Sequence, residues 1–307
     1  MPGHMDLYRV RGPVFAGIER PREATLISVL GAPLESTATY RPGQRRAPRS
    51  VREASENIES NGYYVRGLYI EDVPLYDEGD ISLPPGDAAE GVERVRRVVS
   101  ELVSEGRIPV LIGGEHTVTL GAYKGLIDAG LRPCMVVFDA HLDLRDEYMD
   151  LKLSHATVMR RIAEIRGESR LLFIGTRAYS RGEYEHAARL ERVKLIEARD
   201  LQLVGMANAT SWAVDFISDC RHVYVSIDMD VYDPAYAPGV GNPEPGGLGP
   251  VEVLGFIARL IDHRVVGADL VEVTPDYDPT GATSVLAAKT LQELLLALEA
   301  SRRRVSS

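Results

Sequence analysis

Short runs of apolar and β-branched residues recur along the chain, separated by longer stretches whose apolar residues return every three or four positions. The runs at 24–30 (ATLISVL), 108–112 (IPVLI), 135–138 (MVVF), 171–174 (LLFI), 222–227 (HVYVSI) and 265–273 (VVGADLVEV) read as strands. They show little alternation of apolar and polar positions, so both faces of each strand should be covered, as in a parallel sheet lying between helical layers.

The stretches between them predict helices. Segment 87–105 sets Val92, Val95, Val98, Val99, Leu102 and Val103 on one stripe, with Asp87 placed to cap its start and Gly106 to stop it. Segments 250–262 and 283–304 follow the same pattern, the last with a leucine-rich face and a basic end that suits the helix dipole. Residues 156–165 predict a further helix. No repeat, low-complexity tract or linker interrupts the alternation. One domain is therefore expected over residues 1–307, with 1–23 as an N-terminal extension. Its class is α/β, doubly wound, with a central, mostly parallel sheet flanked by helices. Such sheets bind ligands at the carboxyl ends of their strands.

Composition adds limits to this picture. Hydrophobic residues make up 45% of the chain and charged ones 26%, the balance of a globular domain with a sizeable core. The formal net charge of −10 argues against nucleic acid as a partner and suits a small cation. No apolar run reaches the length of a membrane span and no charged-then-apolar leader opens the chain, so no membrane partner is expected and the protein is read as cytoplasmic. Cys134 and Cys220 make no CxxC pair and are read as free thiols acting as small buried hydrophobes.

The chemistry gathers where the sheet rule says to look. Gly113-Gly114-Glu115-His116-Thr117 follows the second run, Asp139-Ala140-His141-Leu142-Asp143 the third, and Asp228-Met229-Asp230 the fifth. In extended chain, residues two apart share a face, so Asp139, His141 and Asp143 point together, as do Asp228 and Asp230. Uncompensated carboxylates at a buried strand end repel one another and lose hydration, a cost that divalent cations remove. Four carboxylates and two imidazoles suit a pair of hard ions such as Mn²⁺ better than thiolate-seeking zinc. Two such ions can activate a water for attack on an unreactive carbon. A single Asp-x-Asp after a strand is usually a turn; three acid or histidine clusters, each after a predicted strand, are not explained that way. The glycine- and proline-rich segment 239–249 matches no phosphate-loop pattern and reads as an ordered loop.

GGEHT, DAHLD and SIDMDVYDPAYAPG resemble the three signatures of the ureohydrolase family, which includes arginase, agmatinase, formimidoylglutamase and guanidinobutyrase. The similarity runs from about Leu30 to Glu299, taking in Gly31-Ala32-Pro33, the Arg41-Pro42-Gly43 segment and Val271-Glu272-Val273-Thr274-Pro275. The resemblance implies an arginase-like three-layer fold and two Mn²⁺ per chain. It implies that His116 and Asp143 hold one ion, His141 and Asp230 the other, and that Asp139 and Asp228 bridge them. It further implies that Glu272 receives the substrate guanidinium and that His155 carries a proton to the leaving amine, so that His155, Glu272 and Asp143 form the catalytic set. Relatives often carry Gly at the place of Ala156, and Gly-Thr-Gly-Thr-Pro where this chain has Gly239-Val240-Gly241-Asn242-Pro243. Neither departure touches an implied ligand. His186, His222 and His263 match nothing in the family and read as structural.

Arginases follow the DAHxD motif with a loop rich in Thr, Ser and Asn. Here Leu144-Arg145-Asp146-Glu147-Tyr148-Met149-Asp150 is largely acidic and resembles the agmatinases, implying hydrolysis of agmatine or an N-alkylated agmatine to urea and putrescine or the corresponding polyamine. Asp146 and Glu147 are expected to line the mouth and repel a substrate carboxylate. Arg145, Arg160 or Arg161 could instead meet an acid, which keeps guanidinobutyrate, formimidoylglutamate and arginine as alternatives. Two other classes compete: a single-zinc deacetylase of related fold, which would leave one acid of SIDMD idle, and a non-catalytic scaffold. The family resemblance implies a homo-oligomer, a trimer or hexamer.

Overall fold

The structure, a computed structural model, describes residues 3–10, 12–165 and 170–306. The apolar runs become β2 (Ile27–Ala32), β4 (Ile108–Gly113), β5 (Cys134–Phe138), β6 (Leu171–Thr176), β8 (Val223–Asp228) and β9 (Val265–Val271). Three further strands, β1 (Arg9–Val10), β3 (Leu75–Ile81) and β7 (Val193–Glu197), complete a sheet ordered β1-β3-β2-β4-β9-β8-β5-β6-β7. All pairs are parallel except β1 with β3.

Residues of each strand alternate between two cores. Val110, Ile112, Val136 and Phe138 pack on one face with α2 (Ala47–Ser55), α7 (Ala198–Phe216), α8 (Pro250–Leu260) and α9 (Ala282–Ser306). Leu111, Met135 and Val137 pack on the other with α3 (Ala88–Ser104), α4 (Val118–Asp128) and α5 (Val158–Ala163). This two-sided burial is why the strands lack polar alternation. The short α1 (His4–Tyr8) and α6 (Arg181–Ala187) sit on the α3 side, contributing Met5 and Ala187 to that core. Asp87 caps α3 by accepting the Glu90 N–H at 2.9 Å, and Gly106 follows it with φ 77°. The predicted helix at 156–165 begins as a tight 3-10 turn over His155–Thr157 and continues as α5.

The strands that the apolar pattern misses have physical reasons to hide. β3 carries Asp77, Glu78 and Asp80. The Asp77 carboxylate is taken by the fully buried Arg52 of α2 through two contacts of 2.8 Å, and Arg52 also reaches Asp80. A strand with its countercharge on a distant helix reads locally as a polar loop. β7 lies at the sheet edge, and Lys194 and Glu197 break up its apolar residues.

The expectation of free thiols is overturned. Cys134 and Cys220 form a disulfide closing a sequence separation of 86 residues, with Cα atoms 6.1 Å apart. β5 and β8 are neighbours, Cys134 lies opposite Val223, and the Cys134 N–H bonds the His222 carbonyl. Strand pairing, invisible in the spacing of two cysteines, brings the thiols together.

Candidate active site and metal centre

Order in the sheet places β4, β9, β8 and β5 side by side at its centre, so the three acid and histidine clusters and Glu272 leave the sheet together at the carboxyl ends of these strands. Here the chain order reverses, the position where doubly wound sheets open a crevice. A cavity of about 540 Å³ lies there, lined by His116, His141, Asp143, His155, Asp228, Asp230 and Glu272.

The spacing of the motifs has a local cause. Asp139 Oδ1 accepts the N–H of His141 at 2.6 Å, and Asp228 Oδ1 accepts that of Asp230 at 2.9 Å. Asp230 Oδ1 in turn accepts the Ala140 N–H at 2.9 Å. Each carboxylate thus spends one oxygen on main chain and presents the other to the site. His116, Asp139 and Asp143 place one ligand atom each within 4.8 Å of one another, and so do Asp139, His141 and Asp230. Asp139 belongs to both groups. Asp228 Oδ2 lies 3.2 Å from His116 Nδ1, on the first group's side.

The buried atoms have the state expected of a metal-binding shell. His116 Nδ1 and Asp139 Oδ2 are buried without a hydrogen-bond partner, although oxygens of Asp139, Asp143 and Asp228 all lie 3.1–3.2 Å from that nitrogen. The atoms converge on a point without bonding each other. Ser226 on β8 donates its hydroxyl to Asp269 on β9 at 2.6 Å, so at 3.0 Å it can only accept from His116 Nε2. That places the His116 proton on Nε2 and leaves Nδ1 as a lone-pair donor. A set of imidazole nitrogens and carboxylate oxygens fits divalent cations such as Mn²⁺.

Without a cation, protons take its place. Burial alone would depress the His116 imidazolium, but the carboxylates of Asp139, Asp143 and Asp228 beside it hold it well above its usual value. His141 is likewise disfavoured by burial yet pushed up to about 12, chiefly by Asp230. Burial and the Asp139 charge raise Asp143 to about 7, and burial with Asp230 raises Asp228 well above the carboxylate range. A metal must displace the protons these groups hold, since metal ligands bind deprotonated. Affinity therefore rises with pH, and metal binding should release protons. Calorimetry in buffers of different ionisation enthalpy counts them; release of no protons would contradict the assignment. Ser226→Ala, which removes the partner that fixes the His116 tautomer, should weaken metal affinity roughly 10–100-fold while leaving the fold intact.

Glu272 stands beside this centre. Its Oε1 accepts the His116 N–H at 2.7 Å and its Oε2 the Gln44 amide at 3.0 Å. Burial lifts its carboxyl to about 8 against those two bonds; an incoming cation would restore the charge. Asp143 and Glu272 both adopt left-handed backbone, with φ 50° and 66°, a strain that persists where surroundings hold a functional group in place. Two glycines make room. A Cβ on Gly114 would meet the Leu34 carbonyl at 2.0 Å, and one on Gly241 would meet Glu272 Oε2 at 2.6 Å. The 239–249 loop is ordered as expected, its Val240 bridging Val273 and its Leu248 bridging Tyr232.

His155 is buried at the cavity wall, its ring edge-on to Tyr148. Burial lowers its basicity; Glu115 opposes that, while His116 and His141 add to it.

The mouth differs from the expectation. Asp146 is exposed and bonded to Arg161 at 2.8 Å, and the cavity is lined by neither Asp146 nor Glu147. From that loop it takes Arg145 and Tyr148 instead, the guanidinium lying over the ring and 3.5 Å from Glu183. Arg160 and Arg161 pair with Glu164. Arg177, Glu183 and Glu244 also line the cavity, and no sequence signal marks them; they come from connections that only the fold assembles.

A family model, Arginase family, matches residues 25–297. The chain belongs to this family. Its members are metal-dependent hydrolases of guanidino compounds, and the chain is a hydrolase of that type. It is 38% identical to the N(1)-aminopropylagmatine ureohydrolase of Thermococcus kodakarensis, over 88% of this chain and 90% of that one. It is 34% identical to the agmatinase of Halalkalibacterium halodurans, over 93% and 96%. The crystal structure of the agmatine ureohydrolase of Thermoplasma volcanium matches with a TM-score of 0.83 at 38% identity, covering 93% of this chain and 94% of that one. The arginase-fold expectation therefore holds.

Proposed function

We propose that this arginase-family chain hydrolyses the guanidinium group of agmatine, or of an N-alkylated agmatine, to urea and the corresponding amine, with two Mn²⁺ per chain. The observation that carries the reading is the pair of nitrogen-and-oxygen clusters sharing Asp139, with Glu272 opening into the same cavity. His116 and Asp143 would hold one ion, His141 and Asp230 the other, with Asp139 and Asp228 between them. Bound there, the ions would supply Lewis-acid activation of a water.

The remaining work belongs to side chains. Glu272, as a carboxylate, matches the planar donor fork of a guanidinium and fixes the reacting carbon over the cluster. Cleavage of the C–N bond leaves an amine that must gain a proton, and His155, a neutral imidazole of basicity lowered by burial, can take up the proton that the attacking water gives off and pass it to that amine. The mouth acids are then chosen by elimination. Glu183 is engaged by the Ser180 and Leu144 N–H groups and by Arg145. Arg177 is consumed by main-chain carbonyls, among them that of Glu244 at 2.8 Å. The Glu244 carboxylate forms no ion pair with an arginine or lysine among the described residues, its cationic neighbour being His141 at 4.0 Å. It is the acid left to receive an ammonium tail.

Steady-state urea release from agmatine, an N-alkylated agmatine, arginine and guanidinobutyrate tests the reading. Agmatine-type substrates should exceed arginine in kcat/KM by about 10²-fold or more, a difference that a like-charge clash at the far end can supply. A clear preference for guanidinobutyrate would instead assign Arg145 to a substrate carboxylate. Glu244→Gln should raise the agmatine KM about fivefold, the worth of a partly exposed ion pair. Asp146→Asn should leave it unchanged. The reverse pattern would return the selectivity to the acidic loop.

A further inference from the structure

We propose that Thr37 and Glu115 form a relay that positions the His155 imidazole and fixes its tautomer, with the proton on Nδ1. Neither residue lines the cavity, and the inference rests on the reading of His155 as the proton carrier.

Hydrogen-bond capacity around one hydroxyl carries the argument. Thr37 Oγ1 has one proton to give and two lone pairs to fill. Its neighbours are Glu115 Oε1 at 2.9 Å, the His155 main-chain N–H at 3.0 Å, His155 Nδ1 at 3.2 Å and, farthest, the Thr117 hydroxyl at 3.5 Å. The Glu115 carboxylate is fully buried, and its other oxygen accepts the N–H groups of Ser36 and Thr37, both at 2.7 Å. A carboxylate can only accept, so the Thr37 proton goes to Glu115. The main-chain N–H can only donate, and it fills one lone pair. For the second lone pair His155 Nδ1 lies closer than the Thr117 hydroxyl, 3.2 Å against 3.5 Å, and this shorter contact assigns the ring hydrogen to Nδ1. In the neutral ring that leaves Nε2 as the basic nitrogen, and the Thr39 hydroxyl 3.4 Å from it is free to donate there. This arrangement uses the three shortest contacts of the Thr37 hydroxyl, which is how a buried polar network selects one state.

The geometry ties the proton carrier to the metal-binding segment. Glu115 precedes His116 in the chain, and its N–H bonds the Leu34 carbonyl at 2.8 Å. The 34–37 segment, Glu115 and the imidazole are thereby set relative to one another. An imidazole presenting the wrong nitrogen cannot exchange a proton at the right place, whatever its basicity.

The test uses Thr37→Val, Thr37→Ser and His155→Ala in the metal-loaded enzyme. Thr37→Val should keep metal content and KM while kcat falls roughly 10–100-fold, the usual loss when a partner that orients a histidine is removed. Thr37→Ser, which retains the hydroxyl, should restore the rate. Added to His155→Ala, Thr37→Val should cost nothing more, because the relay acts only through the ring. Nitrogen-15 NMR of histidine-labelled protein should show His155 as the Nδ1–H tautomer in the unaltered enzyme and lose that preference in Thr37→Val. An unchanged rate in His155→Ala would sink the proton-carrier reading. A slow His155→Ala beside a Thr37→Val of normal kcat and unaltered tautomer would overturn the relay alone.

Discussion

Asp139→Asn is expected to lose both metal equivalents and more than about 10³-fold in kcat, beyond the 10²–10³ that loss of one stabilising donor costs. Asp139 is the residue common to both ligand groups, so its charge serves two sites at once. The substitution is mild for the fold. The asparagine carbonyl can still accept the His141 N–H that Asp139 Oδ1 accepts now. What changes is the other atom: an amide NH₂ replaces the partnerless Oδ2 and offers hydrogens where lone pairs are needed. Asp143→Asn, confined to one group, should weaken one ion and spare the other. Metal analysis with urea assays on both variants checks this, and full activity in Asp139→Asn would dismantle the site.

The second large effect falls on stability. Cys134→Ala/Cys220→Ala should destabilise the protein by about 4–5 kcal/mol, the value that chain entropy assigns to a loop of this length. The bond joins residues 86 apart, so the unfolded chain is released from a long closure when the bond is lost. Denaturant titration measures the change, and thiol counting on the unfolded, unreduced protein should find no free cysteine. Two free thiols, or a change below about 1 kcal/mol, would contradict it. The bond sits at the amino ends of β5 and β8, opposite the acid and histidine clusters, so kcat should not follow the loss of stability.

Six strands were legible because burial on both faces leaves an apolar run with nothing to disguise it. β3 was not, since Arg52, 25 residues upstream of Asp77, supplies its countercharge. Four of the six candidate ligands stand out for a local reason: Asp139 and Asp228 each hold the N–H two residues on, which goes with the Asp-x-His and Asp-x-Asp spacing. The residues that orient them leave no such trace. Ser226 and Asp269 meet through pairing of β8 with β9, Gln44 reaches Glu272 across 228 positions, and Thr37 reaches His155 across 118. The acidic loop misled for the same reason. Asp146 and Glu147 suggested an acidic mouth, but Arg161, one turn into α5, holds Asp146 away, and the acid that opens to the cavity, Glu244, comes from the 239–249 loop.

The most direct measurement is a titration of the metal-stripped protein with Mn²⁺, following urea release from agmatine at each step. Urea production should rise to a plateau at two equivalents per chain and be abolished again by a chelator, with Zn²⁺ restoring less. A plateau at one equivalent, or no urea at any metal loading, would contradict a two-ion guanidino hydrolase.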